Sequence, residues 1–379
     1  MSTAARAAVL RQPGAVPQIE PVTIEDPRPD ELLVEIRGVG VCHTDMVMRD
    51  QHLPVPLPVV LGHEGAGIVR AVGSAVTDFV PGDHVVLSFM SCSQCGSCAD
   101  DQPAYCHQWV PLNFFGARLD GSTALTDAHG APVHSHVFGQ SSFASHALVN
   151  QRNAIRVDQG LPIELLGPLG CGIQTGAGTV LNACRVRPGS SVAVIGAGAV
   201  GLSAVMAAVI VEAATIVAID INDDRLALSL DLGATHALRS DADTFAGLAA
   251  QVGCPAGFDY IIDTTGIGSL VNDAVLALAP RGELALVGAY APGTRLDSDL
   301  AHLMSGGRII RGVVEGSADP KTFIPQLIEY YRQGLFPFDR LVAYFPFDDI
   351  DRAIAAGETG QVIKPVLRFA EASRQRGIQ

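Results

Sequence analysis

The chain has 379 residues, of which 48% are apolar and 17% charged, which is typical of a compact globular protein of about two domains and excludes a disordered chain. Its formal net charge of −14 argues against a nucleic-acid backbone as the partner. The N-terminal residues lead into a short apolar run broken at Gln12-Pro13-Gly14, which is atypical of a signal peptide. The eight cysteines therefore suggest reduced thiols and metal ligation, and we expect a cytoplasmic protein.

The N-terminal part contains many short β-like runs interrupted by glycine and proline. Examples are residues 7–10, 31–37, 69–72 and 143–149. Runs of this kind predict a barrel-like β domain. The polar stretch of residues 108–137 is predicted to be a solvated loop.

Two motifs in this part contain possible metal ligands. Cys42 follows a glycine-rich strand end, and by itself it is more typical of a small buried core residue than of a ligand. His63 and Glu64 lie side by side among glycine and alanine, which makes a crowded polar site more plausible than an isolated histidine would. Cys42 could thus be a zinc ligand, and Thr44 could be a proton donor.

Four cysteines form the pattern C-x2-C-x2-C-x7-C: Cys92, Cys95, Cys98 and Cys106. Thiolates this close can surround one tetrahedral zinc ion. An iron–sulfur cluster would use similar ligands, but the loop lacks a proline after its last cysteine. Because half of the cysteines fall in this short loop, unrelated thiols are a poor alternative. We expect a structural zinc ion, which would hold the loop and have no open coordination position.

The stretch of residues 192–220 predicts a dinucleotide-binding turn. Three glycines in the order G-x-G-x-x-G follow the apolar run 192–195: Gly196, Gly198 and Gly201. The first would allow a tight turn, the second the close approach of a pyrophosphate, and the third close packing of helix on strand. Asp220 ends the next apolar run and would accept hydrogen bonds from the ribose. A membrane-spanning helix over residues 192–219 is the alternative, but it fits the clustered glycines less well.

Strand-like and helix-like segments alternate through the rest of the chain. The predicted helices are residues 225–232, 270–278 and 323–331, and the predicted strands are residues 234–237, 258–263 and 282–287. This alternation indicates an α/β domain with a doubly wound parallel sheet. The last run, residues 362–369, is predicted to return to the first domain.

Taken together, these motifs resemble those of one enzyme family. GVCHTD, GHEGAG, the four-cysteine loop, GCGIQTGAG and GAGAVGLS are similar to motifs of the zinc-dependent medium-chain alcohol dehydrogenases, over residues 7–369. The stretch ELLGPLGCGIQTGAG is most similar to aryl-alcohol (benzyl-alcohol) dehydrogenases. The resemblance implies a GroES-like catalytic domain of residues 1–172 and 315–379 and a Rossmann cofactor domain of residues 173–314.

The resemblance also implies roles for individual residues. The catalytic zinc ligands would be Cys42, His63 and Cys171, with Glu64 behind the metal as a transient ligand. Asp45 would hydrogen-bond to His63, and Thr44 would take the alcohol proton. The implied cofactor contacts, besides the glycine turn and Asp220, are Thr175, Val200, Arg225, Val287, Gly288, Ala289 and Lys364. Val47 stands where these enzymes often have a relay histidine, so His43 and His52 are alternative proton carriers.

The function implied is the reversible, NAD-dependent oxidation of a primary aromatic or allylic alcohol, with two zinc ions per chain. A homodimer or homotetramer is expected, with no nucleic-acid or membrane partner. An aliphatic alcohol or a glutathione adduct of formaldehyde is the alternative substrate within the family. A non-catalytic NAD-binding protein on the same fold is disfavoured, because all three residues matched to the catalytic zinc ligands are present.

Overall fold

The computed structural model describes residues 2–241 and 243–369 of the chain. They form two compact units, each described by itself below. The first contains residues up to 90, residues 108–170 and residues from 341 onwards, and the second contains residues 91–107 and 171–340. Residues 91–107 and 315–340 thus join the second unit, whereas the predicted boundaries assigned them to the catalytic domain. The predicted division into a catalytic domain (residues 1–172 and 315–379) and a cofactor domain (residues 173–314) stays a prediction.

The first unit is rich in β structure, as predicted. One sheet has the strand order Val59–Val60, Thr3–Leu10, Gln18–Ile24, Leu125–Asp127 and Pro132–Val133. The other has the order Ala154–Val157, His84–Leu87, Glu64–Val72, Glu31–Gly40, Lys364–Arg368 and Val342–Pro346, and His146–Asn150 also pairs with Glu31–Gly40. The helices are His43–Arg49, Trp109–Phe114, Ile163–Leu166 and Ile350–Glu358.

The C-terminal strand confirms one prediction about the chain path. Lys364–Arg368 pairs antiparallel with Glu31–Gly40, with Val366 opposite Gly40. The final part of the described chain is therefore integral to the first unit, as the apolar run 362–369 predicts.

The prediction of a solvated loop over residues 108–137 is wrong. This stretch forms the helix Trp109–Phe114 and two short strands, and Leu112, Leu125 and Val133 are buried. Its apolar residues are separated by polar ones without a helical or strand period. The pairing of Leu125–Asp127 with Gln18–Ile24 gives it structure, and single-sequence periodicity does not contain that long-range contact.

The second unit is built on a six-stranded parallel sheet, as predicted. Its order is His236–Arg239, Thr215–Asp220, Ser191–Ile195, Phe258–Asp263, Leu278–Leu286 and Ile309–Gly312. The helices are Gly96–Ala99, Gly172–Gly178, Ala199–Ile210, Asp223–Asp231, Phe245–Gln251, Gly268–Leu276, Leu300–Gly306 and Pro320–Arg332. The strand order reverses direction at Ser191–Ile195, and ligands of such sheets bind at the carboxyl ends of the strands beside this point.

The apolar run 192–219 is divided into the end of a strand, the helix Ala199–Ile210 and the strand Thr215–Asp220. The alternative of a membrane-spanning helix over this run is therefore wrong. Across residues 2–241 and 243–369, the structure has no helix that is both long and apolar enough to cross a bilayer.

Candidate active site

A cluster of possible metal ligands lies at one end of a β-ladder in the first unit. Glu31–Gly40 and Glu64–Val72 are antiparallel, with Gly40 opposite Glu64. Cys42 and His63 therefore both lie just beyond the same end of this ladder. Ligand atoms of Cys42, His63 and Glu64 lie within 4.8 Å of one another. The pairing of these two strands thus brings together residues from two separate sequence motifs.

The His63 side chain is fully buried and is held by Asp45. Its Nδ1 lies 2.9 Å from Asp45 Oδ1, so the predicted hydrogen bond is present, and its Nε2 is buried with no hydrogen-bond partner among the described residues. Burial acts to lower the pKa of His63, but the charge and hydrogen bond of Asp45 outweigh it and raise the pKa well above its usual range. In the neutral imidazole, donation from Nδ1 to Asp45 leaves the lone pair on Nε2, where a metal ion would take the place of the second proton. This arrangement fits a zinc ligand, because a carboxylate on the other ring nitrogen makes the imidazole a stronger donor to the metal.

Asp45 also fixes the backbone around both motifs. It lies in the first turn of the helix His43–Arg49, and its carboxylate accepts hydrogen bonds from Cys42 N at 3.1 Å and Gly62 N at 3.0 Å. The same helix carries Thr44, which is half-buried, and His43, which is exposed. One carboxylate therefore joins the residue before the helix to the segment that contains His63.

Glu64 forms a buried ion pair that the sequence analysis did not predict. Lys364 Nζ lies 2.9 Å and 3.0 Å from the two carboxylate oxygens of Glu64 and donates to Val41 O at 3.3 Å. Burial raises the pKa of Glu64 to about 7, although Lys364 acts to lower it. The pair neutralises a carboxylate beside the candidate ligands. The pyrophosphate contact assigned to Lys364 stays a prediction. Glu64 and Lys364 are 300 positions apart in the chain, which explains why motif spacing missed the pair.

Aromatic rings pack against the buried face of His63. Phe138 stacks on His63 with 4.5 Å between ring centroids. Trp109 packs against Phe89 at 5.1 Å, Phe138 at 6.1 Å and Phe114 at 6.4 Å. Two of these rings, Trp109 and Phe114, come from the stretch that the sequence predicts as a loop. We refer to Phe89, Trp109, Phe114 and Phe138 as the aromatic cluster.

The four-cysteine loop in the second unit has the chemistry of a closed metal site. The four sulfur atoms lie within 4.8 Å of one another. Backbone amides point at them: Cys92 N donates to Cys106 Sγ at 3.2 Å, and Cys95 N donates to Cys92 Sγ at 3.4 Å. The backbone amide of His107 is the main cause that lowers the pKa of Cys95 to about 6. Amides that favour thiolates, with four sulfurs this close, fit one tetrahedral zinc ion.

Cys171 lies in the second unit, at the N-terminus of the helix Gly172–Gly178. It is buried, and its Sγ lies 3.5 Å from Glu315 Oε1. Glu315 also accepts a hydrogen bond from Gln174 Nε2 at 3.0 Å, and Thr175 Oγ1 donates to Cys171 O at 2.8 Å. The structure therefore brings together Cys171, Thr175 and the unpredicted Glu315. The roles of Cys171 as zinc ligand and of Thr175 as nicotinamide neighbour stay predictions.

The glycine turn has the geometry that its motif predicts. Gly196 has φ +93°, a conformation that favours glycine, and a Cβ on Gly201 would lie 1.8 Å from Gly196 O. The helix Ala199–Ile210, which contains Val200, begins directly after the turn. Asp220 ends the neighbouring strand and accepts hydrogen bonds from Ala197 N at 2.6 Å and Asn222 N at 2.9 Å. The carboxylate is thus fixed beside the turn.

The other predicted cofactor contacts lie at the same edge of this sheet or on the next helix. Val287 N and Gly288 N donate to Asp263 O at 2.9 Å and 3.1 Å, which ties the segment containing Ala289 to the end of the adjacent strand. Arg225 lies on the helix Asp223–Asp231, and its buried Nε has no hydrogen-bond partner among the described residues. The cofactor contacts assigned to these residues stay predictions.

Comparison with known proteins identifies the family. The alcohol dehydrogenase GroES-like domain matches residues 28–159, and the zinc-binding dehydrogenase domain matches residues 199–330. The chain belongs to the zinc-dependent alcohol dehydrogenase family. The resemblance inferred from the motifs is therefore confirmed.

Three relatives match almost the whole chain. Geraniol dehydrogenase of Castellaniella defragrans is 50% identical and aligns over 96% of this chain and 98% of its own. An alcohol dehydrogenase zinc-binding domain protein from Burkholderia ambifaria has a TM-score of 0.96 at 52% identity, covering 98% of this chain and 100% of its own. Benzyl alcohol dehydrogenase from Acinetobacter calcoaceticus has a TM-score of 0.93 at 45% identity, covering 97% and 100%. This alcohol dehydrogenase family member thus aligns with nearly all of each relative and shares the fold of the two solved structures.

Proposed function

We propose that this alcohol dehydrogenase oxidises primary aromatic or allylic alcohols to aldehydes, reversibly, with NAD as hydride acceptor. The observation that carries the substrate class is the aromatic cluster, since Phe138 stacks directly on the candidate metal ligand His63. A flat, π-rich alcohol would stack on the part-exposed rings of this cluster, Trp109 and Phe114, whereas a short aliphatic alcohol would not. Two relatives support the proposal by name, geraniol dehydrogenase and benzyl alcohol dehydrogenase.

The proposed centre uses three protein ligands and leaves one position for substrate. Cys42, His63 and Cys171 would hold a catalytic zinc ion, and Cys92, Cys95, Cys98 and Cys106 would hold a structural one. When bound, the zinc ion supplies polarisation of the alcohol oxygen and NAD supplies the hydride acceptor. Glu64, kept in place by Lys364, would be available as a transient ligand.

The residues around the centre would orient the ligands and move the proton. Asp45 accepts a hydrogen bond from His63 Nδ1, which would leave Nε2 to bind the zinc ion. Thr44 Oγ1 would accept the alcohol proton and pass its own onward. Because Val47 replaces the histidine that often follows in this relay, His43 and His52 are the proposed onward carriers. Both are exposed and can exchange protons with water.

A panel of alcohols tests the substrate class. We expect kcat/KM with NAD to be higher for benzyl alcohol and geraniol than for ethanol. Phe114→Leu is expected to reduce this preference up to about tenfold, because a stacked ring contributes about 0.5–1.5 kcal/mol beyond its buried area. The control is Phe115→Leu, because Phe115 is 55% exposed, follows Phe114 in the chain and is not part of the aromatic cluster. A preference of the unmodified enzyme for ethanol or for the glutathione adduct of formaldehyde would favour the alternative function.

The cofactor preference follows from the position of Asp220. The residue is 9% exposed, and backbone amides fix its carboxylate, which would meet the ribose hydroxyls. The extra phosphate of NADP would face this negative charge in a partly desolvated site. We therefore expect NAD to be preferred at least about a hundredfold, which corresponds to about 2.7 kcal/mol. Arg225, on the helix that follows Asp220, would attract the ribose or phosphate of either cofactor and so would not reverse this preference.

Two variants separate the charge of Asp220 from its shape. Asp220→Asn keeps an acceptor for Ala197 N and should narrow the preference for NAD. Asp220→Gly should lose NAD affinity, gain NADP affinity, and narrow or reverse the preference. Titration of protein fluorescence with NADH and NADPH measures both affinities. Equal catalytic efficiency with NAD and NADP in the unmodified enzyme would show that Asp220 does not select the cofactor.

We also propose a homo-oligomer that acts in the cytoplasm. The strand Ile309–Gly312 is the last of the six-stranded sheet, and Ile309 is 45% exposed. In the same unit, Leu300 and Met304 are 77% and 79% exposed. An open sheet edge with exposed apolar side chains is typical of a surface that another copy covers, and light scattering gives the mass in solution. The cytoplasmic location is supported by the eight free cysteines, since unpaired thiols are typical of a reducing compartment.

A further inference from the structure

The side chain of Gln140 is hydrogen-bonded on both sides of Glu64. Its Nε2 donates to His63 O at 2.8 Å and to Ser88 O at 3.3 Å, and its Oε1 accepts from Gly65 N at 3.0 Å. Ser142 Oγ also donates to Oε1, at 2.7 Å. Gln140 is 1% exposed, so water cannot replace these partners. One buried amide thus fixes the peptide groups before and after Glu64.

Gly65 is needed for this contact. A Cβ at Gly65 would lie 2.3 Å from Ser142 Oγ and 3.0 Å from Gln140 Oε1. A side chain at this position would therefore displace the amide from the strand. The second glycine of the GHEGAG motif makes room for Gln140.

The backbone of residues 136–142, the segment that contains Gln140, is held in an unusual conformation. His136, Phe138 and Ser141 all have left-handed φ, between +52° and +66°. Such conformations persist only where the surroundings impose them. Ser141 Oγ donates to Val60 O at 2.6 Å, and Ser142 N donates to Gly62 O at 2.7 Å. The segment is therefore held by hydrogen bonds to the residues that immediately precede His63.

The same segment contacts both ends of His63. Gln140 binds its carbonyl oxygen, and Phe138 stacks on its ring. Since Asp45 already fixes Nδ1, the position of Nε2 depends on where this segment holds the His63 backbone. A metal ion accepts ligand distances only within about 0.2 Å, so small backbone shifts matter at such an atom.

We propose that Gln140 is a positioning residue of the metal centre, which holds His63 and Glu64 in place through their backbone. The proposal rests on the proposed function, in which His63 is a catalytic zinc ligand. Without the amide, His63 O and Gly65 N lose their buried partners and the backbone must shift to satisfy them. Loss of groups that orient metal ligands typically costs about 10–100-fold in metal affinity or activity.

The test compares two buried amides. Gln140→Met removes the amide with little change in volume. The control is Asn113→Leu, since Asn113 is 0% exposed and bonds Met90 N, Met90 O and Trp109 O at 2.9–3.0 Å. The measurements are urea unfolding, the rate of zinc transfer to a chromogenic chelator, and kcat and KM for benzyl alcohol.

If Gln140 positions the centre, both variants lose stability. Only Gln140→Met then releases the more labile zinc ion faster, by about 10–100-fold. The same variant also lowers kcat by a larger factor than it raises KM. Unchanged zinc release in folded Gln140→Met, or equal release in both variants, would overturn the proposal. If Gln140→Met does not fold, Gln140→Glu decides by the same criteria, because it keeps the shape and the acceptor for Gly65 N. A wild-type protein that holds only the four-cysteine zinc ion would instead refute the proposed function, before any variant is compared.

Discussion

Replacing Cys171 with alanine is expected to remove about one zinc ion per chain and nearly all alcohol oxidation, while the fold remains. Two remaining protein ligands cannot keep a catalytic zinc ion in the geometry that three provide. The small buried thiol leaves only a small cavity, so the free energy of unfolding should fall by about 1 kcal/mol. Elemental analysis and the rate with benzyl alcohol and NAD, measured on the same sample, check this result.

The matched variant is Cys95→Ala in the four-cysteine loop, which should destabilise the fold that Cys171→Ala leaves intact. Its loss should release the structural zinc ion and lower the stability of the whole protein, because binding energy at such a site is folding energy. The backbone amides directed at these sulfurs would then have lost one of their acceptors. One zinc ion or none in well-folded, active wild-type protein would contradict the expected pair of centres.

Thr44→Val should reduce alcohol oxidation by about 10²–10⁴-fold with the zinc content unchanged. Valine has the shape of threonine but cannot accept or donate a proton, and positioned proton transfer contributes a factor of this size. Thr44 lies in the first turn of the helix His43–Arg49, directly after the candidate ligand Cys42 and its neighbour His43. Steady-state rates and zinc analysis of the variant measure the effect.

Thr44→Ser is the control for the relay, because it keeps the hydroxyl and should retain most of the activity. Wild-type rates in the valine variant would show that the proton leaves by another route. In that outcome, His43→Asn and His52→Asn would identify which exposed histidine carries it.

Features that depend on nearby residues in the chain could be predicted from the sequence. The four-cysteine loop and the glycine turn each lie within fifteen residues, so covalent spacing alone limits where their atoms can be. The alternation of strands and helices predicted the parallel sheet, because hydrophobic periodicity reflects which face each element buries. The family motifs identified Asp45 as the partner of His63, and the hydrogen bond is present at 2.9 Å.

Other features depended on tertiary contacts that no local pattern contains. Lys364 neutralises Glu64 across 300 positions, and Gln140 reaches His63 across 77. Periodicity failed for residues 108–137, because pairing with a distant strand and packing of Trp109 on Phe138 order that stretch. The sequence by itself determined which residue types could bind zinc and a dinucleotide. Only the folded chain decided which buried groups hold those residues in place, since burying a polar group requires a partner that the fold alone brings near.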